Sequence, residues 1–253
     1  MPLAIARQVS ARFAECELTH IQRQPIDIAK ARAQHAAYVR ALQGLGCHVV
    51  ELPAEDDLPD SVFVEDAAFI LPEVAVVTRP GADSRKPETV SVADALRPHR
   101  DLLFVHEPAT IDGGDVLVLD RDIYVGLSSR TNTAALQQLQ SMLGRYGYRI
   151  HGVAVGEFLH LKSAVTRLDE ETLLLNPRWV DATLFGKFKQ VEVAPSEPMA
   201  ANILVIRGAG LYPNNFPETQ ARIEAHGAKV ITLDVSELAK AEGAVTCCSL
   251  ILQ

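Results

Sequence analysis

Five times along this chain a polar residue or two opens an apolar, strand-like run, and the openings recur about every 45 residues. With Asp66, Asp112, His160, Asn202 and Cys247 as markers, the steps by subtraction are 46, 48, 42 and 45 residues. Such a period means stacked modules, because a unit of this size cannot bury its own apolar face alone. The run SVFVED at 61–66 leads into apolar residues 67–71 and then 74–78. Asp112-Gly113-Gly114-Asp115 leads into Val116–Leu119 and, past a turn, residues 123–126. His160-Leu161-Lys162-Ser163 leads into 164–168 and Thr172–Leu175. Residues 200–202 lead into 203–206, and Thr246-Cys247-Cys248 into 249–252.

Helix-like segments lie between the strand pairs. Thr133–Leu143 has apolar residues at Ala135, Leu136, Leu139, Met142 and Leu143, one helical stripe, and Gly144 follows as a stop. Residues 218–226 and 28–45 end in the same way at Gly227 and Gly46. A strand follows each glycine, at 148–155, Lys229–Leu233 and 47–52. The module is therefore strand, strand, helix, strand. Its fifth copy needs both ends of the chain: the strand after Cys247, then Leu3–Arg7, the helix from Ile28 and the strand from Cys47. That closes a ring and brings Glu65, Asp66, Asp112, Asp115, His160, Asn202 and Cys247 to one axis. An open α/β sheet with coincidental spacing is the alternative that the rhythm leaves standing.

The chain of 253 residues carries 24 Lys and Arg against 32 Asp and Glu, a net charge of −8. That balance repels phosphate backbones, so nucleic acid is not expected as a partner, and it mildly favours small cations. No apolar run reaches the eighteen or so residues of a membrane span, and residues 1–7 lack a signal-peptide pattern. With four cysteines and no export signal, a reducing cytoplasm is expected. Long linkers and low-complexity stretches are absent, which favours one domain over residues 1–253.

Cys247 and Cys248 lie in an apolar run, 244–252, that reads as a strand. Neighbouring cysteines are poorly placed to bond each other, because their α-carbons are fixed closer than disulfide geometry wants. On a strand the two sulfurs face opposite ways, so one can face a cavity while the other packs. Both can equally be small buried hydrophobes. Of the eight histidines, His160 alone stands between leucines at a module start, as a satisfied core residue or a general acid/base. His35, His48, His99 and His226 read as surface. The Asp112–Asp115 run is either a tight turn or a place where glycines admit a ligand while the acids orient His160. Glu65 and Asp66 sit in an apolar segment, where charge is costly unless it faces a polar cavity. Arg85 and Arg130 each follow a strand pair and together could clamp a carboxylate.

Taken jointly these segments resemble the dimethylarginine dimethylaminohydrolases of the guanidine-modifying superfamily. The matching runs are PDSVFVEDAAF at 59–69, TRPGADSR at 78–85, TIDGGD at 110–115, VGLSSRTN at 125–132, LHLKS at 159–163, AAN at 200–202 and EGAVTCCSL at 242–250. The resemblance implies an α/β fold, the five-bladed α/β propeller (pentein) of ββαβ modules. It implies Cys247 as nucleophile, His160 as general acid/base and Asp112 as the acid that orients it. Asp66 and Glu65 would hold a guanidinium, with Phe63 as a wall and Ala241 beside the substrate. Arg85 and Arg130 would bind the α-carboxylate, and Leu18 and Asp60 the α-amino group. Residues 15–27 would form an active-site lid. The implied reaction takes methylated arginines, small-molecule substrates, to citrulline and an amine, with no metal and no cofactor. A homodimer is compatible with the resemblance. Two other readings remain: an arginine deiminase acting on unmethylated arginine, and a non-catalytic or metal-binding propeller that uses Cys247, Cys248 and His160.

Overall fold

The computed structural model describes every residue except Glu157 and Gln253. Five three-stranded sheets surround one axis, each an antiparallel inner pair with a parallel outer strand. The first blade is Ala68–Ile70, Val74–Val77 and Asp101–Phe104; the second is Val116–Leu119, Asp122–Leu127 and Arg149–Ala154. Val165–Arg167, Thr172–Leu175 and Lys189–Glu192 make the third, and Leu204–Ile206, Ala209–Pro213 and Lys229–Leu233 the fourth. The fifth joins Leu250–Leu252 to Leu3–Arg7 and His48–Leu52, with Leu3 opposite both Leu252 and His48. The five-bladed propeller is thus the architecture, and the open sheet is set aside.

Middle strands are buried along their length, as in Val74–Val77 and Thr172–Leu175, and so read as unbroken apolar runs. Helices Ile28–Gly44 and Thr133–Leu143 start where Asp27 and Asn132 accept the amides of Lys30 and Ala135. Blade one has a helix that the periodicity did not single out, Glu88–Leu96. Blade three departs from the module. Its crossover, from Leu175 to Lys189, holds only the 3-10 turn Ala182–Phe185. Among the described residues, no helix is long and apolar enough to cross a membrane.

Polar groups at the module starts tie the ring shut. Gly114 N donates to Asp66 Oδ1, Leu161 N to Asp115 Oδ1, and Asn202 Nδ2 to Lys162 O. Thr246 N donates to Asn202 Oδ1, Thr246 Oγ1 to Glu65 Oε2, and Glu65 N to Cys247 O. Each blade is therefore bonded to the next, the fifth back to the first. Buried polar atoms need such partners, so the belt satisfies an otherwise costly interior.

Two expectations need correction. The cysteines are not in a strand: Cys247 N–H donates to Ala244 O in a turn, and the strand starts only at Leu250. The other markers likewise precede their strands: Asp66 and Asn202 stand two residues ahead, and Asp112 and His160 occupy the same place, just before 3-10 turns Gly113–Asp115 and Leu161–Ser163. His35 is not a surface residue. It is 2% exposed on the inner face of helix Ile28–Gly44, tilted against Tyr38, because the helical stripe that holds Ala31, Tyr38 and Leu42 includes it.

Candidate active site

Turns rather than strands deliver the reactive side chains. Gly113 and Gly114 make the close fit between them. A β-carbon on Gly113 would fall 1.9 Å from Glu65 O, and one on Gly114 2.4 Å from His160 Nδ1. The two glycines thus bring blade two against the Glu65–Asp66 turn and the His160 ring, not against a ligand.

His160 stands between two carboxylates. Its Nε2 is 3.0 Å from Asp112 Oδ2, and its Nδ1 is 3.8 Å from Asp66 Oδ1. Asp112, wholly buried, is fixed in turn by Gly81 N on its Oδ1. Burial alone would make His160 less basic, but Asp66, Asp112 and Asp115 outweigh it and raise the imidazole to about 9. Burial likewise opposes the charge on Asp66, yet His160, Arg85 and Gly114 N hold that carboxyl down at about 2. Cys247 is pushed well above its ordinary value, first by burial and then by Glu65 and Asp66. The resting site is therefore an imidazolium beside carboxylates and a neutral thiol.

A small cavity collects most of the residues singled out in the sequence. Asp60, Phe63, Asp66, Arg85, Arg130, His160, Ala241 and Cys247 line it, together with Glu17, Leu159, Glu242 and Gly243. Its volume of about 10 Å³ holds about one water. Asp112 stands behind His160 rather than on the wall. Leu18 packs on the apolar cluster that includes Phe63, Ala241 and Cys247. Cys248 does not line the cavity; its Sγ lies 3.6 Å from Ala244 O. Turn geometry, not strand alternation, separates the two sulfurs.

Glu65 faces the other way. It lines a second, open cavity of about 1270 Å³ along with Lys162 and Thr246. Its carboxylate takes Lys162 Nζ at 2.5 Å and Thr246 Oγ1 at 2.9 Å. Burial raises Glu65, and Lys162 offsets this only in part. Adjacent residues thus serve different cavities, Asp66 and Cys247 the small one, Glu65 and Thr246 the large one.

The arginines differ as well. Arg85 gives Nη1 to Asp66 Oδ2 at 2.6 Å, and Nε and Nη2 to Glu88 at 3.1 and 2.9 Å. Arg130 is buried, donates Nη2 to Thr19 Oγ1, and leaves Nη1 without a partner. The loop after Cys16 is held down over this edge. Thr19 N and His20 N donate to the two oxygens of Glu242, and Glu17 N to Asp60 Oδ2. Asp66, Asp112 and His160 place ligand atoms within 4.8 Å of one another, a spacing that could hold a cation. Arg85 already supplies positive charge there, and Cys247 is outside that set. Sequence reasoning did not give roles to Glu88, Lys162, Thr246 or Glu242. Only the three-residue step from Arg85 to Glu88 carried a local sign, as an ion pair across one helical turn.

A buried cysteine, a histidine between two carboxylates and a wall of further acids and arginines are thus gathered on five blades. A family profile described as N,N dimethylarginine dimethylhydrolase, eukaryotic, matches residues 12–165. An N(G),N(G)-dimethylarginine dimethylaminohydrolase of Streptomyces coelicolor is 40% identical over 253 residues, 99% of this chain and 96% of that protein. A protein of the same name from Pseudomonas aeruginosa is 34% identical over 88% of this chain and 89% of its own length. A solved Pseudomonas aeruginosa structure, a Cys-to-Ser mutant complexed with citrulline, superposes with a TM-score of 0.94 at 32% identity over 98% of both chains. The N-terminal domain of ArgZ, a cyanobacterial arginine dihydrolase, superposes at 0.89 but is 15% identical, which shows the fold alone. The chain belongs to the dimethylarginine dimethylaminohydrolase family and is an enzyme of that family.

Proposed function

We infer that this enzyme hydrolyses Nω-methylated arginines to citrulline and methylamine or dimethylamine through a covalent adduct on Cys247. The observation that carries this is the pairing of a neutral, buried Cys247 with a charged His160 in one cavity. Such a thiol attacks only when a cation comes beside it, and a guanidinium seated on Asp66 is that cation. Substrate binding thus generates the thiolate, the thiol proton passing to solvent. Sγ attacks the guanidinium carbon, His160 gives its proton to the departing amine, and the C–N bond breaks. An S-alkylthiouronium remains. His160, now neutral, takes a proton from water, which adds to the same carbon; the C–S bond then breaks to give citrulline and the free thiol.

The unpartnered Nη1 of Arg130 supports its role toward the substrate carboxylate, with Arg85 beside it on the cavity wall. A cavity of about 10 Å³ must enlarge before an amino acid can enter, so the loop at residues 15–27 serves as a lid, with Leu18 and Asp60 at the amino end. Glu65, paired to Lys162, shapes the seat from behind. Four free, buried cysteines suit a reducing cytoplasm, and a homodimer is compatible with the fold.

The deciding experiment compares asymmetric dimethylarginine, monomethylarginine and arginine as substrates, measuring citrulline and amine release. Enzyme quenched in turnover is analysed by mass spectrometry for an adduct on Cys247. Faster turnover of arginine would replace this reading with a deiminase, and no adduct on Cys247 would remove the proposed route.

A further inference from the structure

One cation stands between two carboxylates beside the small cavity. Glu88 takes the Arg85 guanidinium side-on, through Nε and Nη2. Asp66 takes it end-on, through Nη1. The side-on, two-point geometry is the stronger of the two and fixes the plane of the guanidinium. Glu88 is 2% exposed, opens helix Glu88–Leu96 and does not line the cavity that holds Cys247. It reaches that cavity only through Arg85.

Counting charge shows what Glu88 does. Were Arg85 paired with Asp66 alone, the two would neutralise each other, and the cavity would have little hold on a cation. With Glu88 sharing Arg85, and Asp112 sharing the charge of His160, Asp66 keeps net negative character on Oδ1, the oxygen turned toward Gly114 N and His160. We propose that Glu88 is a positioning residue for the hydrolase: by sharing Arg85 it keeps Asp66 free to bind the cationic end of the substrate. This rests on Asp66 being the guanidinium seat.

The groups facing Glu88 are Arg85 on its own blade, Arg7 from strand Leu3–Arg7, and the acids Asp60 and Asp66. Burial lifts the Glu88 carboxyl to about 7 despite Arg85. Protonation of Glu88 hands Arg85 to Asp66, so cation binding weakens as pH falls through about 7.

The test separates charge from shape. Citrulline has the same skeleton as the substrate, but its ureido end is neutral. Steady-state kinetics on dimethylarginine, with citrulline as inhibitor, are measured for the wild-type enzyme, Glu88→Gln and Glu88→Asp. Glu88→Gln is expected to raise KM about tenfold, while the citrulline inhibition constant stays within about twofold. Glu88→Asp, which keeps the charge, falls between Glu88→Gln and wild type. In the wild-type enzyme, KM rises as pH falls from about 8 to about 6 and the citrulline constant does not. That measurement decides the matter if Glu88→Gln does not fold. An unchanged KM, or equal rises in both constants, would overturn the role of Glu88. A wild-type enzyme that releases no citrulline would instead overturn the hydrolase reading itself.

Discussion

Asp112 Oδ2 lies 3.0 Å from His160 Nε2, with both side chains shut away from solvent. That bond, with the charge of Asp66 on the opposite side of the ring, keeps the imidazole protonated up to about pH 9. Activity that needs the imidazolium as acid is therefore expected to fall above about pH 9. Asp112→Asn removes a negative charge, lowers the His160 value and moves that alkaline limb of the kcat/KM profile toward neutrality. A limb unmoved in Asp112→Asn would show that another group sets it.

The two cysteines should separate cleanly. Cys247→Ser is expected to lower kcat by at least about a thousandfold while still binding citrulline, and Cys248→Ala to stay within about fivefold of wild type. Equal losses in both variants would mean that the turn, not one sulfur, carries the effect.

Resting Cys247 is a thiol and not a thiolate, since burial, Glu65 and Asp66 all oppose its ionisation. Iodoacetamide should therefore inactivate the free enzyme slowly at pH 7, and faster with each step in pH, without a plateau near neutrality. Rapid labelling at pH 7 would contradict a substrate-generated nucleophile.

Glu242 is bonded to two successive amides of the loop, at Thr19 and His20, through its two oxygens. Glu242→Ala should free that loop, raising the rate of proteolytic nicking between residues 16 and 27 by about tenfold or more. Added citrulline should slow the nicking again. Cleavage at wild-type rate would show that the loop is held by other contacts.

Buried His35 leaves Nε2 without a partner, and burial lowers its value to about 4. In the unfolded chain it titrates near 6.5, so folding releases a proton. Stability from the neutral ring is thus present above about pH 6.5 and lost as pH falls toward 4. His35→Leu should narrow the drop in Tm between pH 7 and pH 5, by the equivalent of about 2 kcal/mol. An identical drop in both proteins would place the acid sensitivity elsewhere.

Most of the architecture was legible because a repeated module prints itself as a period. The markers Asp66, Asp112, His160, Asn202 and Cys247 all stand at module starts, and each of them lines the small cavity, holds His160 or completes the belt between blades three and five. What the period could not carry was local. A turn just ahead of a strand looks, in sequence, like the strand's first residues, so Cys247 and Cys248 read as residues on opposite faces of a strand that begins only at Leu250. Blade three keeps the strand rhythm but has a 3-10 turn where the other blades have a helix. Long-range pairings left no sign at all: Glu242 with Thr19, and Lys162 with Glu65, join residues far apart in the chain. Glu65 and Asp66 are neighbours with the same charge, and only the fold reveals that they face different cavities.

The hydrogen-bonded belt at the module starts has a thermodynamic consequence. An open repeat array has terminal units that fray first and shed stability one unit at a time. Here no blade is terminal: the strand pairing of Leu250–Leu252 with Leu3–Arg7, and the bond from Thr246 to Glu65, give the last module the same two neighbours as every other. Melting therefore has no cheap place to begin. The molecule should unfold as one cooperative unit despite its modular origin, and a lesion at Asn202, two blades from Asp66, should lower the stability of the whole ring.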